Sequence, residues 1–229
     1  NSLNIVDATT SVTLGGAVAA TTTVDVNSGG SIDQTGAITT ASNVNYDAGT
    51  TIAINAGITN SGTVDIDSTG TTTIAAAGDI NSDGAVTFGA ALAGSLTTAG
   101  DIDTSDDNVT FTNPVTLSGN VDIDTVGTAA GNILFSSTIA TGGNDLALDA
   151  GAAGNITLSA ALTGGGNVTV RDGDVQSYSA LTLNSLNIVD ATTSVTLGGA
   201  VAATTTVDIN SGESIDQTGA ITTASNVNY

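Results

Sequence analysis

Five pairs of carboxylates are the residues of this chain best placed to do chemistry. Asp65 and Asp67, Asp101 and Asp103, Asp106 and Asp107, Asp122 and Asp124, and Asp172 and Asp174 each put two acids close together in sequence. Two carboxylates alone can hydrolyse a glycosidic bond, one as acid and the other as base or nucleophile. In an alternating strand, however, residues i and i+2 share a face. Asp65 with Asp67, and Asp122 with Asp124, are therefore expected to point outward together, opposite buried Val and Ile. An acid in open water has no apolar wall to lift its pKa toward that of a general acid. Arg171 is the single base, with no Lys or His beside it, so lyase and imidazole chemistry lack their proton carriers. The chain is read as non-catalytic, with no catalytic, cofactor-binding or metal-binding residue assigned.

Cations need a separate weighing, because hard ions take carboxylate and carbonyl oxygens. Gly142-Gly143-Asn144-Asp145-Leu146 is the nearest approach to a glycine-rich calcium turn. It lacks a second Gly before the Asp and any nine-residue period, and no EF-hand spacing occurs. The expectation is no resident cofactor, with only diffuse or weak Ca2+ attraction to acidic ladders such as Asp65, Asp67, Asp101, Asp103, Asp122 and Asp124. Asn108-Val109-Thr110, Asn155-Ile156-Thr157 and Asn167-Val168-Thr169 match the glycosylation acceptor pattern. They also arise wherever a corner Asn precedes a strand. Gly164-Gly165-Gly166 has no Lys after it and is no phosphate loop. Tyr46, Tyr178 and Tyr229 read as half-buried corner residues.

Composition narrows the partners. The 229 residues hold 22 acids against one base, giving a net charge of −21. Nucleic acid and anionic membrane surfaces are excluded, since both require Lys and Arg. Without Cys there is no disulfide, zinc site or thiol nucleophile. The acidity does not signal disorder, because the chain is 40% hydrophobic and rich in Val, Ile and Thr, the residues that favour strands. No apolar run is long enough to span a bilayer as a helix.

The elements that must carry these residues are short strands. Val12-Thr13-Leu14, Val24-Asp25-Val26, Val64-Asp65-Ile66, Val86-Thr87-Phe88, Val109-Thr110-Phe111 and Val121-Asp122-Ile123 all read apolar, polar, apolar, the period of a half-buried strand. Gly119-Asn120, Gly131-Asn132, Gly154-Asn155 and Gly166-Asn167 introduce several later ones, and both residue types are expected to supply left-handed corners.

Repetition sets the architecture. Asn1–Tyr46 recurs as Asn184–Tyr229, an offset of 184 − 1 = 183, with only Val26 replaced by Ile209 and Gly30 by Glu213. The window is thus one 183-residue unit, 1–183, followed by the start of the next, 184–229. Neither terminus falls at a natural edge of the repeat. Within the unit, segments of about 20 residues align, in the range of a solenoid rung, and about nine rungs fill one unit. The expectation is an all-β fold: one continuous parallel β-helix over 1–229. Immunoglobulin-like sandwiches are the competing fold, but they need more aromatics and longer strands.

Runs such as Gly154-Asn155-Ile156-Thr157-Leu158-Ser159, Gly166-Asn167-Val168-Thr169-Val170 and Leu186-Asn187-Ile188-Val189-Asp190 resemble the repeats of filamentous-haemagglutinin-like large exoproteins, which are giant bacterial surface and secreted proteins. The resemblance covers essentially the whole chain. It implies a right-handed parallel β-helix, an extracellular or bacterial cell-surface location, and use as a fibre or adhesin. Together with the stiffness of a stacked coil, this gives the functional expectation: a non-catalytic stalk segment built from tandem repeats. Its partners would be further copies of itself, end to end or side by side. The alternative is a carbohydrate- or cell-binding adhesin whose rungs touch cell-surface glycans directly.

Overall fold

A computed structural model describes residues 1–89, 91, 94–127, 129, 131–223 and 225–229. Among these, every regular element is a β-strand, and all strand pairs are parallel. Three strands make one turn: Leu3–Ala8, Val12–Leu14 and Val18–Ala20 lie on three different sides. The next turn places Val24–Ser28 on the first, Ile32–Gln34 on the second and Ile38–Thr40 on the third. Continued along the chain, this gives three parallel sheets of 11 strands each and a β-solenoid of 11 rungs. The solenoid expectation holds, and the sandwich is excluded, because sandwiches pair their strands antiparallel.

Alternation explains why the chain winds in this way. Each three-residue side turns its first and third residues inward and the middle one outward: both inward residues are apolar in Val86-Thr87-Phe88, whereas Ile38-Thr39-Thr40 buries a small polar side chain beside its Ile. One side alone buries too little to stand free. Stacked, the inward residues form columns: Val24, Val44, Val64, Val86 and Val109 lie one above another in the first sheet. Each is fully or almost fully buried, which stabilises by about 1.5–3 kcal/mol per side chain. Backbone amides reach across rungs to complete the ladders, with Val24 N donating to Asn43 O, Val44 N to Thr63 O and Val64 N to Ala85 O, each at 2.9 Å.

Rung length is not constant. In the first-sheet column Val24 is followed by Val44, whereas Val109 is followed by Ile133, a longer step along the chain. The corners absorb the difference, so the stacked sides keep their register. Phe88, Phe111 and Phe135 fall on one column through this longer stretch. Their rings stack at centroid separations of 5.3 and 4.3 Å, nearly coplanar in orientation.

Two sequence expectations need correcting. Asn120, Asn132, Asn155 and Asn167 do not make left-handed corners: Asp7 and Asp106 are the residues other than Gly with positive φ among the described ones. The Gly before each Asn is required instead by close stacking. A Cβ on Gly154 would lie 2.1 Å from the Gly131 carbonyl oxygen, and one on Gly166 would lie 1.7 Å from that of Asn144. Tyr46 and Tyr178 are not corner residues either. Both sit inside strands and are buried in the core, because their positions fall on inward-facing columns.

Candidate functional site

The polar surface is organised by side chains that tie one rung to the next. Where a corner meets the third sheet, the Asp79 Oδ1 accepts from Asp101 N at 2.9 Å, and the Asp101 Oδ1 accepts from Asp122 N at 2.8 Å. The Asn120 Oδ1 accepts from Asp145 N at 3.0 Å, and Asp145 accepts in turn from the backbone and side-chain nitrogens of Asn167 at 3.0 and 2.8 Å. A parallel series runs along the first sheet, where Asn108 accepts from Asn132, Asn132 from Asn155, and Asn155 from Val175. Each oxygen satisfies a backbone donor at a strand entrance, a need that every buried or half-buried amide has. The three glycosylation-pattern residues Asn108, Asn155 and Asn167 all belong to these ladders.

Amides also separate the carboxylates. On the outer side of the first sheet, Asn45 lies between Asp25 and Asp65 and donates to the Asp25 Oδ1 at 3.0 Å. Asn55 likewise donates to the Asp33 Oδ1 at 3.0 Å. Like charges on adjacent rungs repel, so an interposed amide lowers the cost of an acidic ladder.

The acid pairs fare differently. Asp122 and Asp124 project outward as expected, and they converge on Arg171. Its Nη1 and Nη2 reach Asp122 at 2.7 and 2.5 Å, its Nε reaches Asp149 at 3.1 Å, and Asp124 stands 3.6 Å away. These partners raise the guanidinium pKa further above its ordinary value, the hydrogen bonds donated to Asp122 contributing most. Arg171 is the extra residue of a bulge: Leu148 pairs with Val170, and Asp149 pairs with Asp172. That irregularity sets its side chain over the acidic ladder. Asp101 and Asp103 stand among acids, and burial followed by Asp124, Asp122, Asp101 and Asp79 pushes the Asp103 carboxyl upward.

Asp65 and Asp67 depart from expectation. Asp67 is 6% exposed rather than solvated. Ala91, which follows Val86–Phe88, donates its backbone N–H to both Asp67 oxygens at 3.1 and 3.2 Å. Asp65 keeps a buried Oδ1 with no hydrogen-bond partner. Burial, then Asp67 and Asp47, hold its pKa above the usual carboxylate value. Asp106 accepts from Ala129 N, and Asp174 from the Thr193 hydroxyl at 2.5 Å. Asp172 has one buried oxygen without a partner.

An open groove of about 800 Å³ lies on the outer side of the third sheet. Asp101, Asn120, Asp122, Asp145, Asn167, Asn187 and Asp208 line it. This row of carboxylate and amide groups can accept and donate hydrogen bonds at the rung spacing. Among the described residues, no group of three or more acids is arranged to hold a metal ion. In the Gly142-Gly143 turn, the Asn144 side chain donates to the Leu117 and Thr141 carbonyls, each at 3.0 Å. Sequence reasoning did not single out the Arg171 cluster, although an isolated base among aspartates was the available signal. No family model matches the chain, nor does any curated protein or solved structure.

Proposed function

We propose that this chain is a non-catalytic structural segment of a long extracellular fibre or surface adhesin stalk. One observation carries the reading: the solenoid passes from the first unit into the second without a break. Asn167 and Val168 of unit 1–183 pair with Ser185 and Leu186 of unit 184–229 in the same register that joins rungs within a unit. Stacking of this kind makes length a matter of copy number. Backbone groups are satisfied rung upon rung, which gives a stiff and protease-resistant rod. The resemblance to haemagglutinin-like exoproteins agrees with that use. Electron microscopy of the native assembly tests it. The expected result is a thin continuous filament with an axial spacing of about 4.8 Å, and beads on a string would overturn it.

The groove on the third sheet favours a second reading, in which the rungs themselves hold a hydroxyl-rich glycan. Its lining of Asp, Asn and Ser side chains suits sugar hydroxyls, and its open shape suits an extended chain. A glycan array with the purified segment separates the two. A pure stalk gives no specific hits, whereas the groove reading predicts hits that D145A and N167A abolish together.

A further inference from the structure

The two copies of the repeated segment do not occupy the same sides of the solenoid. Val12–Leu14 lies in the second sheet, but its copy, within Ser194–Leu197, lies in the first. Val18–Ala20 is in the third sheet and its copy Val201–Ala203 in the second. Val24–Ser28 is in the first and the copied strand Val207–Ile209 in the third. Every copied strand has moved back by one side.

The broad corner moves with it. The step from Val24 to Ile32, between the first and second sheets, is longer than the steps from Val12 to Val18 and from Val18 to Val24. In the copy, the long step runs from Val207 to Ile215 and joins the third sheet to the first. The copied sequence still fits its new place. Tyr46 donates to Gln34 between the first and second sheets, and Tyr229 donates to Gln217 between the third and first. Rotation is tolerated because each side follows one rule, alternate residues in and the residue between them out, so the three sides are interchangeable to the core.

From the first rung's second side to the tenth rung's first side is nine turns less one side. We infer that one 183-residue unit advances the solenoid by eight and two-thirds turns, so that tandem units follow a three-fold screw and present the same surface on three sides in succession. The inference rests on the tandem-array reading above. At ~4.8 Å per rung the unit rises about 42 Å, and the original side returns after about 125 Å. A contact surface encoded once per unit then faces neighbouring copies of the chain all round the rod, which suits a bundle of fibres better than a ribbon lying on one face.

The absence of Cys permits a direct test in this chain by introduced pairs. Ser177 pairs with Thr196 in the first sheet, and Thr182 with Ala202 in the second. S177C/T196C and T182C/A202C should therefore oxidise to intramolecular disulfides, which need Cα atoms within about 7 Å. T182C/T196C, the pair that a whole number of turns would bring together, should stay reduced. Disulfide formation in T182C/T196C overturns the inference. So does its absence from both other pairs in proteins that keep a β-type circular dichroism spectrum. In fibres of the parent protein, a layer line at about 125 Å supports the screw, and a period of about 42 Å without it overturns the screw while leaving the array intact. Absence of both periods overturns the array reading itself, whatever the disulfides show.

Discussion

Tyr46 and Gln34 meet inside the core, where the phenol hydroxyl donates to the Gln34 Oε1 at 3.1 Å and both side chains are fully buried. Gln34 spends its other end on the Ala56 carbonyl, with Nε2 donating at 2.7 Å. A buried amide is tolerated only when both ends are bonded. Burial also lifts the Tyr46 phenol well above its ordinary pKa, so it remains a donor through the usual pH range. Y46F removes the donor and leaves the Gln34 oxygen dry and unpaired. We expect a loss of about 1–3 kcal/mol, read as a lower urea midpoint with an unchanged slope. A loss below a few tenths would mean that the bond contributes nothing.

Glycines along the corners divide into two kinds, and alanine substitution separates them. Gly166 has an ordinary φ, yet its missing Cβ would lie 1.7 Å from the Asn144 carbonyl oxygen of the rung it packs against. G166A must therefore spread two stacked rungs apart, and a cost of about 3 kcal/mol is expected, as for other overpacked sites. Gly16 has nothing within 4 Å of the same atom. G16A should be neutral or stabilising by about 0.5 kcal/mol, through the reduced freedom of the unfolded chain. Thermal melts of the two variants side by side check the contrast. Equal midpoints would show that rung spacing does not depend on Gly166.

Much of this was legible in the residues. Val24-Asp25-Val26 and its relatives announce strands by alternation, and the near-identity of 1–46 with 184–229 announces a repeat. What the spacing could not reveal is which side a strand joins. Val12-Thr13-Leu14 and Val195-Thr196-Leu197 are the same sequence, but they lie in different sheets, because phase is the sum of all corner lengths between them. The inward Tyr46 was equally hidden, since Val44-Asn45-Tyr46 fixes its face only once the partner column is known. Asp67 was misplaced for a third reason: its backbone donor comes from one full rung downstream, at Ala91, and local alternation carries no information about such a partner.

Acidity itself should respond to pH in the direction opposite to ordinary acid denaturation. Asp47, Asp65 and Asp103 all have carboxyl pKa values raised in the folded chain, with burial the first cause and neighbouring aspartates the next. A raised acid binds its proton more tightly when folded than when unfolded. Stability therefore rises as pH falls from 7 through the raised values, and the gain is complete near the ordinary carboxylate value of 3.8. Release of repulsion across a net charge of −21 works in the same direction. The melting temperature at pH 4.5 should exceed that at pH 7, and D65N should raise the pH 7 value and flatten the difference. A melting temperature that falls between pH 7 and 4.5 would show that protonation removes more acceptors than it relieves charges.

Arg171 provides the complementary case, a base that three acids share across stacked rungs. Its guanidinium grips both oxygens of Asp122, two rungs below, and reaches Asp149 at 3.1 Å. The side chains of Arg171 and Asp122 are 37% and 40% exposed, so solvent screens much of this attraction. R171A leaves Asp122, Asp124 and Asp149 facing one another with no counter-charge. After allowance for screening, a loss of about 1 kcal/mol is expected in low salt. It should shrink in 1 M NaCl, where the Debye length falls to about 3 Å. R171K should restore only part of the loss, because an ammonium group cannot match both carboxylate oxygens as the planar fork does. Urea midpoints of the three proteins at low and high salt decide the matter. A deficit in R171A that persists unchanged in 1 M salt would show that the side chain acts by packing over the bulge and not by its charge.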